Sequence, residues 1–331
     1  MQLRIPLSIA VLSLGVAASA QHTSTLLVIQ KGDQSLALVD PAAAKVIASV
    51  PEGAYTGHEV TASPDGRRAY VPIYGDSGVG QPGTDGTHMV VIDIASQKVI
   101  GNVDFHHGVR PHLPVIGPKD GLLYVTTELD KTITIIDPKS LKIIGTIPTG
   151  QPESHMLAIS NDGLRGYTAN VGPGTVSVLD IKARKNIAVI PVAPHTQRIS
   201  ITGDDRFVFT SDTTKPQLVV IDTANNQVKT RVAMPGTGYG SAPTPDGKYL
   251  LIALPHANKM GVIDLKTMTF SRGVDVPESP QEVLVRPDGK VAYVSCMGSD
   301  QVAEVDLATW KVSRLIKTGK LTDGLAWAAG K

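Results

Sequence analysis

The chain has 331 residues, with 31 Lys plus Arg against 30 Asp plus Glu, 42% hydrophobic residues and only 4% aromatics. A balanced charge with no long run of one sign argues against capture of nucleic acid or of an anionic membrane surface. A single cysteine, Cys296, excludes an internal disulfide, and 32 Gly with 23 Pro suit a turn-rich β chain.

Residues 1–20, MQLRIPLSIAVLSLGVAASA, hold a basic Arg4, an apolar run and a small-residue ASA segment. That is the pattern of a Sec-type signal peptide, too short to be kept as a spanning helix. No later run is apolar enough to span a bilayer. The expectation is an exported, soluble protein, periplasmic or secreted and monomeric, with residues 21–331 as one domain.

Seven segments then repeat: LALVDPAAAKVIASV, VVIDIASQKVIGNV, ITIIDPKSLKIIGTI, VSVLDIKARKNIAVI, LVVIDTANNQVKTRV, MGVIDLKTMTFSRGV and VAEVDLATWKVSRLI. Each is an apolar alternating run, an Asp, a polar turn and a second apolar run. The aspartates Asp40, Asp93, Asp137, Asp180, Asp222, Asp264 and Asp306 step by 53, 44, 43, 42, 42 and 42 residues. They are read as structural acceptors at the turn. Between the copies lie tight turns such as SPDGRRAYV, TPDGKYLLI and RPDGKVAYV, which is hairpin chemistry. Each unit therefore has four short strands, here A to D from the channel outward. The pattern predicts an all-β chain forming a seven-bladed β-propeller, with four antiparallel strands per blade. The last segment, LTDGLAWAAGK, reads as an A strand lacking its partners, and TLLVIQKGDQSLALVD reads as B and C lacking A. Pairing of the C-terminal strand with the N-terminal strands is expected to close the ring.

The pattern resembles the YVTN-repeat propeller family on the residues YVPI at 70, YVTT at 124, YTAN at 167, FTSD at 209 and YVSC at 293. The resemblance covers nearly the whole chain after the leader. It implies a seven-bladed propeller, often secreted, with lactonase-like and haem-d1-binding propellers among its relatives. It does not choose a function among them.

Histidine placement supplies the functional signal. Twelve residues before the Tyr position of each B strand stand His58, His112, His155, Gln197, Tyr239 and Gln281, with Asp323 or Gly324 in the last unit. That position lies at one end of the innermost strand, on the face carrying the D–A and B–C loops, called the top. His106 and His107 lie in the loop before His112, and Glu59, Arg198 and Glu282 add charge at the same rim. The only long insertion, YGDSGVGQPGTDGTH, rises on that face beside His58.

The leading expectation is a binding site for a small molecule, metal or partner protein at the top-face channel mouth, formed by His58, Glu59, His106, His107, His112, His155, Gln197, Arg198, Tyr239, Gln281 and Glu282. A divalent transition metal shared by His58, His112 and His155 is one form of it, since imidazole suits Zn, Cu, Fe and Ni. A lactone or ester hydrolase is the alternative, with His155 as base beside Glu59 or Glu282. A haem-type tetrapyrrole with one top-face axial His is the second alternative, although no C-x-x-C-H site is present.

Overall fold

A computed structural model of the chain describes residues 24–53 and 55–330. Residues 1–20, read above as a signal peptide, fall outside the described part. The described strands form seven sheets around a central channel. Six are four-stranded, and the seventh has its inner strand broken into Thr56–Gly57 and Thr61–Ala62. This is the expected propeller. Inner strands contact the inner strands of neighbouring blades, and hydrophobic clusters fill the spaces between sheets.

The first blade orders Thr322–Ala328, Thr25–Gln30, Ser35–Asp40 and Lys45–Pro51 from the channel outward. Its inner strand comes from the C-terminal end of the chain and pairs antiparallel with Thr25–Gln30. The ring is thus closed by hydrogen bonds, as the unpaired halves of the sequence require. Blades two to seven follow in chain order. Their inner strands are Thr56–Gly57 with Thr61–Ala62, Pro111–Ile116, Ser154–Ile159, Thr196–Ile201, Ser241–Pro243 and Pro280–Val285.

The repeated aspartates act as read from the sequence. Asp264 Oδ1 accepts the backbone N–H groups of Lys266 and Thr267, both at 2.9 Å, and Asp306 Oδ1 accepts those of Ala308 and Thr309. The Asp-Gly turns place glycine in the left-handed region, for example Gly66 at φ +70°. A Cβ on Gly66 would stand 2.0 Å from the carbonyl oxygen of Ala329, where the second blade meets the closing strand of the first. Gly66→Ala should therefore cost about 2 kcal/mol or more, from left-handed strain plus displacement of the Ala329 carbonyl. Differential scanning calorimetry is expected to show a midpoint lower by about 3 °C or more.

Candidate functional site

The side chains at the channel mouth owe their aim to β-bulges. In the third blade, Thr127 pairs with Pro111 and Val125 with Pro114, so His112 and Leu113 together oppose Thr126. In the fourth, the register slips between Ser154 and Met156, leaving His155 as the extra residue. In the fifth the extra residue is Arg198, at φ 61°. The seventh blade bulges at Gln281 and Glu282, and the first at Asp323 and Gly324. In the second blade the interruption holds His58, Glu59 and Val60. A bulge frees backbone groups and turns a side chain away from the ladder direction. Here B-strand hydroxyls take up the freed groups. Thr126 Oγ1 accepts from Leu113 N at 2.9 Å, Ser295 Oγ accepts from Glu282 N at 3.0 Å, and Thr210 Oγ1 donates to Arg198 O at 2.7 Å.

One half of the mouth is aromatic. The ring centroids of His112 and His155 are 3.5 Å apart with a 33° tilt, and His58 stands 5.4 Å from His112, edge to face. Tyr74 lies 4.8, 5.3 and 5.7 Å from the rings of His58, His112 and His155. Its hydroxyl donates to Glu128 Oε2 at 2.8 Å. The same oxygen meets His155 Nδ1 at 3.2 Å, which places the His155 proton on Nδ1 and the lone pair on Nε2. His112 and His155 are each only 2% exposed. Burial holds His112 well below the usual imidazole range and lowers His155 against the pull of Glu128. His58 is pushed down to about 3 by burial and by the nearby Lys31. All three rings are neutral at neutral pH. The Nδ1 of His112 is buried with no hydrogen-bond partner.

The other half is ionic. The Arg198 guanidinium is 3% exposed and reaches carboxylates of three other blades. Its Nη1 meets Glu59, in the closest contact of the set, and Glu282 Oε2 at 2.9 Å; its Nη2 meets Asp323 Oδ1 at 3.3 Å. Lys31 Nζ adds a contact to Asp323 at 3.3 Å. The Tyr239 ring lies 4.6 Å below the guanidinium carbon. Burial raises Glu59 to about 8 and Glu282 to about 7, outweighing Arg198. Asp323 stays low despite its burial because Lys31 and Arg198 face it. The Nε of Arg198 is buried without a hydrogen-bond partner.

The structure therefore brings together His58, Glu59, His112, His155, Arg198, Tyr239 and Glu282. It does not bring in His106 and His107, which are exposed. His107 bonds Asp130 at 2.8 Å instead, and His106 lies 3.5 Å from Asp104. Gln281 turns back to Ser279, and Gln197 sits in the ladder opposite Ser211. The carboxylate paired with His155 is Glu128, in place of the expected Glu59 or Glu282. The expected shared metal also meets a different geometry. The His112 and His155 rings stack where a shared ion needs nitrogens converging on one point, and among the described residues no group of three or more His, Cys, Asp or Glu is arranged to hold a metal ion.

Tyr74, Glu128 and Lys31 escaped the sequence reading, yet a signal existed. They occupy one equivalent place, the fourth residue after the Tyr position of the B strand, with Leu27 standing for Tyr in the first blade. The loop of the long insertion is tied beside Glu128. Arg110 Nε bonds Asp85 Oδ1 at 2.6 Å, and its Nη atoms bond the carbonyls of Gly78 and Gln81 at 3.3 and 2.8 Å.

Two opposed titrations follow for stability. A histidine lowered on folding binds its proton more readily when unfolded, so stability falls as pH drops below about 6.5. A carboxyl raised on folding loses its proton more readily when unfolded, so stability falls as pH climbs above 4.5, and for Glu282 and for the buried Glu52, which accepts the Gly57 N–H at the broken strand, this continues to about 7, for Glu59 to about 8. Between 4.5 and 6.5 the two groups of residues offset each other. Melting curves should show a plateau there with a fall on both sides, and Glu59→Gln should flatten the alkaline side. Arg198→Met should cost about 3–5 kcal/mol at neutral pH, since it strands buried Asp323 and Glu282, and less at pH 5, where Glu282 is protonated and Asp323 alone keeps its charge. Denaturant titrations at the two pH values measure the difference.

Residues 83–320 match the family model described as Cytochrome D1 heme domain, and the chain belongs to that family. No curated protein sequence matches it. Solved structures share the fold. A hydrazine synthase chain of Kuenenia stuttgartiensis is 19% identical, with a TM-score of 0.74 over 90% of this chain and 99% of that one. The periplasmic gluconolactonase PpgL of Pseudomonas aeruginosa is 18% identical, with a TM-score of 0.71 over 93% of this chain and 99% of that one. The dihydro-heme d1 dehydrogenase NirN, solved in complex with DHE, is 15% identical, with a TM-score of 0.67 over 91% of this chain and 74% of that one. Among the described residues no helix is long and apolar enough to cross a membrane.

Proposed function

We propose that this member of the Cytochrome D1 heme domain family binds a small polar molecule at the top-face channel mouth, between the His58–His112–His155–Tyr74 cluster and the Arg198 carboxylate cluster. The observation that carries this reading is the pair of buried, unpartnered polar atoms, His112 Nδ1 and Arg198 Nε, one in each half of the mouth. A buried polar atom without a partner costs about 1–3 kcal/mol, and a bound polar molecule recovers it. The site offers donors and acceptors together, which suits a ligand carrying both. The leader-like residues 1–20 support a periplasmic or secreted location, and the closed ring supports action as a monomer.

A tetrapyrrole, the group named by the family description, needs an open slot with one imidazole nitrogen at its centre. The His112 and His155 rings face each other at 3.5 Å, and Glu128 engages His155 Nδ1. The channel-mouth histidines do not fit that group as they are packed.

A thermal-shift screen of small polar metabolites tests the binding reading. A true ligand raises the midpoint of the unaltered protein, by about 3 kcal/mol of linkage at a hundredfold excess over Kd. The increment should disappear in His112→Gln. Ligands whose increments all survive in both His112→Gln and Arg198→Lys bind elsewhere and overturn the proposal.

A second reading, hydrolysis of a lactone or ester, draws support from the His155–Glu128 pair. Glu128 orients the imidazole, and the lowered His155 keeps Nε2 free as a base at neutral pH. His155 would take a proton from water as its oxygen adds to the carbonyl. The C–O bond then breaks and the proton passes to the departing alkoxide, giving a hydroxy acid from a lactone, or an acid and a separate alcohol from an ester. A lactone and ester panel should show turnover that drops by about a hundredfold or more in His155→Ala. Equal rates for the two proteins would remove this reading.

A further inference from the structure

A cavity of about 310 Å³ opens on the top face, next to the aromatic cluster and outside the ring of channel-mouth side chains. The long insertion roofs it with Gly80, Gln81 and Pro82, and Leu129 and Pro152 form apolar walls. Arg110 fixes the roof through its bonds to the carbonyls of Gly78 and Gln81. The most buried lining residue is Glu128, 2% exposed, which makes it the floor. Its Oε2 is held by Tyr74 and His155, but its Oε1 is buried with no hydrogen-bond partner, the nearest cation being Arg110 Nη1 at 3.8 Å. At the open side stands Lys131, an exposed ammonium, and the remaining lining carboxylate, Glu153, is engaged by the backbone N–H of Gly172 at 2.7 Å.

We propose that this cavity is a binding site for a small α-substituted carboxylate, with a hydroxyl or ammonium donating to Glu128 Oε1 and the carboxylate meeting Lys131. The proposal rests on the reading of the top face as the binding face, and it assigns that face a ligand class. The polarity of the cavity sets the orientation: the inner end offers an acceptor lacking a donor, and the outer end offers a cation. A charged hydrogen bond made away from water at the floor carries more affinity than the exposed contact at the rim. A volume near 310 Å³ admits a molecule of a few heavy atoms to about sugar-acid size and excludes a macrocycle. Because Glu128 also holds Tyr74 and His155, occupation of the cavity is felt by the aromatic cluster without contact to its rings.

L-glycerate and L-serine are the probes, since they share a three-carbon skeleton and C2 configuration and differ in hydroxyl against ammonium at C2. Isothermal titration of the full chain with each should show saturable binding by at least one. Preference for serine identifies ammonium as the donor, and preference for glycerate identifies hydroxyl. Glu128→Gln should weaken binding by about tenfold, and Lys131→Ala by about threefold. Lys131 is exposed, so its variant tests the site even if Glu128→Gln disturbs folding. Absence of binding by both probes up to about 10 mM sinks the cavity proposal and leaves the channel-mouth reading to its own screen. Binding lost in His112→Gln but intact in both cavity variants also sinks it, while supporting the channel mouth. Binding lost in the cavity variants and intact in His112→Gln supports the cavity.

Discussion

A guanidinium buried near the axis of the ring holds the channel mouth together. Arg198 belongs to the fifth blade, and its partners Glu59, Glu282 and Asp323 belong to the second, seventh and first. Three carboxylates around one guanidinium and one ammonium cannot all remain ionised out of water. Burial resolves this by raising Glu59 and Glu282 while Asp323 keeps its charge. The cluster closes the axis and links blades that lie far apart in sequence. It also leaves the opposite side of the mouth, at blades two to four, to neutral rings.

Those rings are placed by backbone irregularity. A regular inner strand alternates its side chains between its two blade neighbours. The extra residue at each bulge breaks that alternation, and His112, His155, Arg198, Glu282 and Asp323 all sit at such places. The hydroxyls of Thr126, Thr210 and Ser295 make the irregularity tolerable, because the freed backbone groups stay bonded. A fold read as seven similar units thus carries its chemistry where each unit departs from regular pairing.

The fold was legible in the sequence because its causes are local and repeated. The Asp at each C–D turn and the Asp-Gly tips state their own hydrogen bonds, and the missing strands at the two ends demand closure. The channel mouth was legible in part, because counting from the Tyr position finds equivalent places whatever fills them. That count located His58, His112 and His155 together. It could not show that the rings stack, nor that His106 and His107 turn outward to Asp104 and Asp130, since side-chain direction depends on bulges that leave no composition signal. Glu128 was missed for a plainer reason. It lies in a B–C loop, outside the D–A register in which the histidines recur.

Aligning the B–C ends explains why the site lies to one side of a nearly symmetric ring. The fourth residue after the B-strand Tyr position is Lys31, Tyr74, Glu128, Val171, Thr213, Pro255 and Met297 around the seven blades. Only the first three carry an ionisable group, and each meets the bulge residue of its own or the following blade: Lys31 with Asp323, Tyr74 with His112, Glu128 with His155. The insertion sits over the same sector, tied by Arg110. From Val171 onward the position is apolar or a neutral hydroxyl, and the matching half of the mouth is filled by the long side chain of Arg198 reaching across. Seven equivalent scaffolds therefore yield one sector in which both sets of loop ends are polar, because the two sets coincide in polarity only at three consecutive blades, and a ligand that needs both sets has one place to go.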